Sequence, residues 1–284
     1  MEKIYYSNEF FNIEHTIECG QFFRFKAHKS GYLVFSLSKC AFLYYEGDYT
    51  VIECKKCDAD YFKHFFDLNQ DYSIIYKSAV NYGVDFLSTS AEYGKGIRIL
   101  NQDPTECLFS FIVSQNNNIP RIKGIIERLC TALGEPRTFD GVEYFAFPSP
   151  MKMSKMPLDF YKSIGLGYRA EYVRNLAIDI VNGLNIDALA QFDTANLKRR
   201  LIALKGVGPK VADCVIFFGF HRGDSFPVDT WIKKVYATNF KGNLTDTKKI
   251  ADWFVGKFGN FAGYYQQYLF HYKRTQEIKT KSKN

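Results

Sequence analysis

A lysine and an aspartate in this 284-residue chain have the types and the spacing needed for nucleophilic chemistry. Lys210 directly follows a Gly-Val-Gly-Pro segment, so a helix that begins at Pro209 should hold its amine in the first helical turn. A cation is electrostatically unfavourable at that end of a helix, which favours the neutral, nucleophilic amine. Asp229 lies 19 residues later, where it should cap the next helix and can also face the amine.

The segment around this lysine, near 201–219, predicts a helical hairpin that binds phosphate. Gly206-Val207-Gly208 makes a tight turn, exposes backbone N–H groups at a helix N-terminus and lets an anion approach closely. Such a hairpin can hold DNA through its backbone without reading sequence. The residues alone also allow a simpler interpretation, in which Lys210 is solvated or contacts phosphate and Asp229 only caps its helix.

The distribution of charge points to the same kind of partner. Residues 1–150 carry 15 Lys and Arg against 19 Asp and Glu, a net charge of −4, whereas residues 151–284 carry 22 against 11, a net charge of +11. A C-terminal half with a net charge of +11 indicates a polyanion partner, with nucleic acid as the first candidate. The alternative is a solvated surface that ends in the basic tail TKSKN.

The composition excludes several classes of protein. Hydrophobic residues make up 46% and charged residues 24%, which excludes a fully disordered or collagen-like chain. No run approaches 18 consecutive apolar residues, so we expect no membrane span. The first residues, MEKIYYSNEFF, lack the pattern of a secretory signal, and we therefore expect a cytoplasmic protein.

The seven cysteines indicate reduced thiols and no metal site. An odd count without a signal peptide argues against a disulfide framework. Cys54 and Cys57 have the spacing of half a zinc site, but the sequence offers no second pair. No cysteine follows Cys214, which excludes an iron–sulfur cluster held by C-terminal thiolates.

The elements that must position the lysine and aspartate are read from periodicity. Short strands are predicted at 21–27, 31–37, 40–45 and 50–54, followed by helices near 59–67 and 71–80. The pattern turns helical from about Thr105, and the later helices are predicted at 158–163, 168–183, 195–204, 209–219, 229–239, 246–257 and 261–275. We therefore predict an α+β fold, with an antiparallel sheet domain at 1–95 and a mainly helical domain at 96–284. The helical domain should form two lobes, at about 96–205 and 206–284.

The hairpin, lysine and aspartate together resemble a known family motif. KGVGPKVADCV followed by FPVD is similar to the helix-hairpin-helix and Gly/Pro-rich loop with aspartate (HhH-GPD) of the endonuclease III-like DNA glycosylases. In that superfamily the aspartate is catalytic, and a lysine at the position of Lys210 marks the members that also cleave the strand. Endonuclease III and its adenine-specific relative usually carry a C-terminal four-cysteine cluster, and alkylbase glycosylases normally lack the lysine.

Four further segments resemble 8-oxoguanine DNA glycosylase within this superfamily. They are ECGQFFR at 18–24, SQNNNIPRI at 114–122, GLGYRA at 165–170 and AGYYQQYLF at 262–270. The resemblance implies a bacterial member with a TBP-like N-terminal sheet domain. It also implies a bifunctional glycosylase and AP lyase that excises 8-oxoguanine from double-stranded DNA, without a cofactor or metal and as a monomer. A place at the nucleoid of a bacterium or archaeon follows.

The resemblance assigns a role to each matched residue. Lys210 would attack C1′ and Asp229 would stabilise the cationic sugar. In the base pocket, the Gly20 carbonyl would sense N7, which is a donor in 8-oxoguanine and an acceptor in guanine. Gln266 would bind the Watson–Crick edge and Phe270 would stack on the base. The full predicted pocket is Gly20, Cys214, Phe218, Gln266 and Phe270.

The remaining matched residues would contact the DNA around the extruded base. Asn116 would fill the gap, Arg121 would contact the orphaned cytosine, Tyr168 would wedge beside the gap and Arg169 would assist at the opposite strand. The hairpin glycines Gly206 and Gly208 would hold phosphate.

The chain also departs from the eukaryotic pattern. Trp231 replaces a phosphate-contacting histidine, Phe218 replaces a pocket methionine, and Lys205 and Pro209 alter the hairpin. Phosphate contacts and the requirement for cytosine opposite the lesion are therefore open. Three alternatives stay in play: a related glycosylase for another oxidised base, a non-catalytic helix-hairpin-helix DNA-binding protein, and an unrelated basic two-domain protein.

Overall fold

A computed structural model describes residues 1–281 of the chain. The strands are β1 (Glu2–Ser7), β2 (Phe25–His28), β3 (Gly31–Ser36), β4 (Lys39–Glu46), β5 (Tyr49–Cys54), β6 (Pro136–Phe139) and β7 (Val142–Phe145). The helices are α1 (Ile13–Glu18), α2 (Ala59–Phe65), α3 (Tyr72–Val80), α4 (Asp85–Tyr93), α5 (Pro104–Ser114), α6 (Ile119–Leu133), α7 (Pro150–Ser154), α8 (Leu158–Ser163), α9 (Arg169–Val181), α10 (Thr194–Ile202), α11 (Pro209–Phe218), α12 (Thr230–Asn239), α13 (Thr247–Phe258) and α14 (Ala262–Lys281).

The N-terminal sheet is five-stranded and antiparallel, in the order β1-β5-β4-β3-β2. One face is buried because Val34, Leu43 and Ile52 all point into the same cluster, which also receives α2. The sheet with its helical partner confirms the predicted α+β class. The predicted strand at 21–27 was too long, since only Phe25–His28 pairs with β3.

The stretch before β2 is a loop because its side chains take the place of sheet pairing. The amide of Gln21 donates to the carbonyls of Thr16 (2.8 Å) and Arg98 (2.8 Å) and accepts from the backbone N–H of Leu100 (2.9 Å). These bonds hold residues 19–24 against the start of the helical domain. The loop therefore carries Gly20 to the place where the two parts of the chain meet.

The helical part is built around two buried helices, α5 and α11. Both are buried over most of their length, and α11 packs against α5 and α10. The helices α3 and α4 contribute Tyr72, Ile75 and Leu87 to the same core and α4 packs on α14, although both lie before the proposed boundary at 95. That boundary stays a prediction.

The structure also bears on the expectations about cysteines, metal sites and membrane spans. All seven cysteines are free thiols; Cys54 is buried and Cys57 is exposed. Residues 1–281 contain no cluster of three or more His, Cys, Asp or Glu side chains suited to a metal, and no helix among them is long and apolar enough to cross a bilayer. The end of the basic tail, residues 282–284, lies outside the described residues.

Candidate active site

The hairpin between α10 and α11 requires glycine for a steric reason. Gly206 has φ +87°, and a Cβ at this position would lie 2.2 Å from a ring atom of Tyr172. Val207 is 5% exposed and fills the space between the two helices. Gly208 is the N-cap of α11, and a Cβ there would have no atom within 4 Å, so the backbone beside it is open to a ligand.

Lys210 lies in the first turn of α11, as its position after Pro209 predicts. The amine is half-buried, 5.3 Å from the centroid of the Phe111 ring. Cys214, one turn further along the helix, is buried, and this burial raises the pKa of its thiol to about 11 although the neighbouring Lys210 amine opposes the shift. The lysine therefore meets an aromatic face and a protonated thiol.

Asp229 combines the two roles expected of it. Its Oδ1 accepts from the backbone N–H of Ile232 at 2.9 Å, which caps α12. Burial raises the pKa of the carboxyl, while the backbone N–H groups of α12 and the charge of Lys210 act in the opposite direction. The carboxylate and the amine line the same cavities.

A small cavity of about 50 Å³ lies between the lysine, the loop at residue 20 and α14. It is lined by Gly20, Phe111, Lys210, Cys214, Phe218, Pro227, Asp229, Gln266, Gln267 and Phe270. Half of these residues also line a neighbouring cavity of about 860 Å³. All five residues predicted to form the base pocket are therefore together, although they come from three distant parts of the chain.

Gln266 is prepared to accept a hydrogen bond from a ligand. Its side chain is 4% exposed, and its amide nitrogen donates to the carbonyl of Pro227 at 3.1 Å. The amide oxygen is buried and has no hydrogen-bond partner among the described residues. Leaving a buried acceptor unpaired disfavours the fold by about 1–3 kcal/mol, and a bound group with N–H donors removes that penalty.

Comparison with known proteins identifies the family. A family model described as "8-oxoguanine DNA glycosylase, N-terminal domain" matches residues 3–108, and one described as "HhH-GPD superfamily base excision DNA repair protein" matches residues 109–252. The chain belongs to the 8-oxoguanine DNA glycosylase family. The resemblance found in the hairpin and the four motifs is confirmed.

Individual members of the family are similar over most of the chain. A probable N-glycosylase/DNA lyase from Methanothermobacter thermautotrophicus is 30% identical over 229 residues, which cover 74% of this chain and 71% of that protein. The 8-oxoguanine glycosylase/lyase of Clostridium acetobutylicum, solved with double-stranded DNA containing cytosine opposite 8-oxoguanine, is 32% identical. It superimposes with a TM-score of 0.90 over 98% of this chain and 99% of that one.

Three of the residues that the family resemblance places at the DNA are exposed. Asn116 has φ +43°, a left-handed conformation that asparagine tolerates, and its side chain points outward. Tyr168 is 53% exposed, and Arg121 is exposed with a contact from its guanidinium to the carbonyl of Gly165 at 3.3 Å. These side chains are free to meet DNA, and their family roles stay predictions.

Arg169 is placed differently from these three. It is 3% exposed, and its guanidinium donates to the carbonyls of Gln115 (2.7 Å) and Asn116 (2.8 Å). In this structure its guanidinium therefore holds the backbone of the loop that carries Asn116. The role at the opposite strand stays a prediction, and it would require the guanidinium to leave these carbonyls.

The structure also adds residues that sequence reasoning missed. The Gln115 amide donates to the Gly206 carbonyl at 2.9 Å and so joins the Asn116 loop to the hairpin. Phe111 stacks on Phe218, with ring centroids 5.5 Å apart, and forms the wall beside the lysine. Gln115 lies within the matched motif at 114–122, and this position was the one feature of the sequence that could have indicated its place at the site. Phe111 offered none, because a phenylalanine on a buried helix is most often core.

Proposed function

We propose that the protein is a bifunctional DNA glycosylase and AP lyase that excises 8-oxoguanine from double-stranded DNA. The observation that carries the proposal is that Lys210 and Asp229 line the same pocket as Gln266. A nucleophile and a carboxylate serve the sugar, and an unpaired amide oxygen serves the base. A site with separate groups for the sugar and for the base suits a reaction at C1′ of an extruded nucleotide.

The reaction begins with extrusion of the nucleotide, because C1′ cannot be reached within the duplex. The neutral Lys210 amine forms a bond to C1′ as the bond from C1′ to N9 of the base breaks. The base leaves with the bonding electrons and takes up a proton, and the amine loses a proton to give an aminal. The C1′–O4′ bond then breaks, O4′ takes up a proton, and the nitrogen lone pair completes a protonated imine to C1′ of the opened sugar. The Asp229 carboxylate stabilises the positive charge that develops on the sugar. Loss of a C2′ proton then expels the 3′ phosphate by β-elimination.

Recognition of the lesion depends on neutral groups in the pocket. The Gly20 carbonyl accepts the N7–H that 8-oxoguanine has and guanine lacks. The Gln266 oxygen accepts from the Watson–Crick edge, and Phe270 stacks on the ring. Asn116 fills the vacated position, Tyr168 wedges beside it and Arg121 donates to the orphaned cytosine.

The partner is duplex DNA, held chiefly by its phosphates. The +11 charge of residues 151–284 and the open backbone at Gly208 suit a phosphate strand. We propose that the enzyme acts as a monomer at the nucleoid in the cytoplasm, without a cofactor. Its binding should weaken steeply as salt concentration rises.

Borohydride trapping tests the proposal directly. The reductant converts the imine into a stable amine, so the wild-type enzyme should become covalently attached to a duplex that carries 8-oxoguanine opposite cytosine. Lys210→Gln should give no adduct. Lys205→Gln alters an exposed lysine that lies five residues before Lys210 and pairs with Glu171, and this variant should trap normally at saturating enzyme.

Two outcomes would refute the proposal. An adduct with Lys210→Gln equal to that of the wild type would remove the lysine from the reaction. A wild-type enzyme that traps on an oxidised-pyrimidine duplex but not on 8-oxoguanine would assign the chain to another lesion.

A further inference from the structure

The segment that carries Gly20 is held by its carbonyl groups. Residues 18–21 present four consecutive carbonyls, from the last residue of α1 into the loop before β2. The carbonyl of Glu18 accepts from the Arg274 guanidinium at 2.6 Å, and that of Cys19 accepts from the Gln267 amide at 3.0 Å. The carbonyl of Gln21 accepts from the Gln102 amide at 2.7 Å.

The one carbonyl of this segment that lacks a partner within the described chain is that of Gly20. Its two predecessors are both taken by side chains of α14, the helix that also carries Gln266 and Phe270. A peptide plane whose neighbours are fixed on both sides cannot turn freely, so the direction of the free carbonyl is set before a ligand arrives. Preorganised dipoles of this kind need no rearrangement when the ligand binds.

Arg274 is an unfavourable choice for a residue that only stabilises the fold. Its Nε and Nη1 atoms are buried and have no hydrogen-bond partner, and burial lowers the pKa of the guanidinium. Nη1 also lies 3.0 Å from where a Cβ on Gly20 would be, so the guanidinium packs directly behind the glycine. Unpaired buried donors disfavour the folded state, and they offset part of what the bond to Glu18 and the contact with the Phe270 ring, 5.5 Å from its centroid, contribute.

We propose that Arg274 and Gln267 are positioning residues for lesion recognition, which hold the Gly20 carbonyl toward N7 of the extruded base. This inference rests on the proposed excision of 8-oxoguanine. If the segment loosens, the carbonyl turns away and the hydrogen bond that distinguishes 8-oxoguanine from guanine is weakened. Chemistry at the sugar does not use this carbonyl and should continue.

The test compares two duplexes of one sequence, which carry either 8-oxoguanine or an abasic site opposite cytosine. Arg274→Met and Gln267→Met keep most of the side-chain length and remove the donor. With enzyme in saturating excess, each variant should excise 8-oxoguanine about tenfold more slowly than the wild type, which corresponds to the loss of one net hydrogen bond. Each should cleave the abasic duplex at the wild-type rate, since no base is present to be read.

Lys273→Met is the matched control. It removes a cation one residue earlier on α14, where the lysine pairs with Glu277, and should leave both rates unchanged. The melting temperature of Arg274→Met should stay close to that of the wild type, because two unpaired buried donors are removed together with the bond to Glu18.

Each other outcome has a definite meaning. Equal loss on both duplexes would show a general defect and overturn the positioning role. Unchanged 8-oxoguanine excision in both variants, with an active wild type, would overturn this inference and leave the proposed function intact. A wild type that fails to excise 8-oxoguanine would refute the proposed function itself.

Discussion

Replacement of Asp229 by asparagine separates the two roles of this residue. The side chain caps α12 through one oxygen, and its charge faces Lys210. Asparagine caps a helix about as well as aspartate does, so Asp229→Asn keeps the hydrogen bond to the Ile232 N–H and removes only the charge. Asp229→Ala removes both.

The effect of each change on stability follows from the carboxyl pKa. Because burial raises the pKa of Asp229, the folded protein holds the proton more tightly than the unfolded chain does. Stability is therefore lost as the pH rises through this pKa, and the ionised carboxylate disfavours the fold at neutral pH. Asp229→Asn should leave the melting temperature unchanged or slightly raised. Asp229→Ala, which also loses the cap, should be about 1 kcal/mol less stable than Asp229→Asn, or about 2–4 °C in a protein of this size.

The effect on catalysis should be large for both variants. Removing a preorganised charge from the developing cation typically slows the chemical step by about 100- to 1000-fold. Single-turnover excision of 8-oxoguanine, measured with saturating enzyme beside a calorimetric melt, would test this. An Asp229→Asn enzyme within about fivefold of the wild-type rate would refute the electrostatic role. A melting temperature as low as that of Asp229→Ala would refute the assignment of stability to the cap.

Three further predictions follow from individual positions. Gly206→Ala should destabilise the hairpin by at least about 2 kcal/mol, because φ is +87° and the new Cβ would lie 2.2 Å from a tyrosine ring atom. Gly208→Ala, which meets no atom within 4 Å and only weakens the N-cap of α11, should cost less than about 1 kcal/mol. Burial lowers the pKa of His271 to about 3, so its contribution to stability is lost as the pH falls from about 6.5 toward 3. The wild type should therefore lose free energy of unfolding between pH 7 and pH 4. In His271→Phe this loss should be at least about 1 kcal/mol smaller than in the wild type, whereas the control variant His64→Phe, at an exposed site, should not show this reduction. Arg121→Ala should reduce the preference for cytosine opposite the lesion about tenfold, measured as excision rates opposite C, A, G and T; an unchanged preference would contradict the assigned contact.

Local patterns were sufficient for the helices that follow residue 157. The predicted helix at 158–163 is the observed one, and the cap at Asp229 forms as expected. Both features depend on residues within one or two helical turns. The same locality explains why the position of Lys210 on its helix could be derived before any family was recognised.

The elements that were missed depend on distant partners. β1 alternates half-buried and exposed residues at the sheet edge and gains its order from pairing with β5, about 45 residues later. The β6–β7 hairpin at 136–145 and the short helices α1, α4 and α7 were also absent from the prediction. Their sequences carry weak periodicity, and their order comes from packing.

The candidate site also contains residues that local patterns could place and residues that depend on distant partners. The pocket residues were placed by resemblance to a family, because nothing in their own spacing brings residue 20 to residue 266. The hydrogen bond from Gln267 to Cys19 spans 248 positions and has no local signature. The burial of Arg169 was unexpected for a similar reason, since its partners are carbonyls of another loop.

The position of α14 has a consequence for how the site is assembled. The reactive pair and the hairpin precede this helix along the chain, while both Gln266 and Phe270 and the side chains that orient the Gly20 loop belong to it. A chain that lacks α14 would lack two of the side chains proposed for the base pocket and both side chains that hold the loop before and at Gly20. Because α14 also holds the loop at residue 20, the proposed base pocket is complete only when this helix is packed against the rest of the chain.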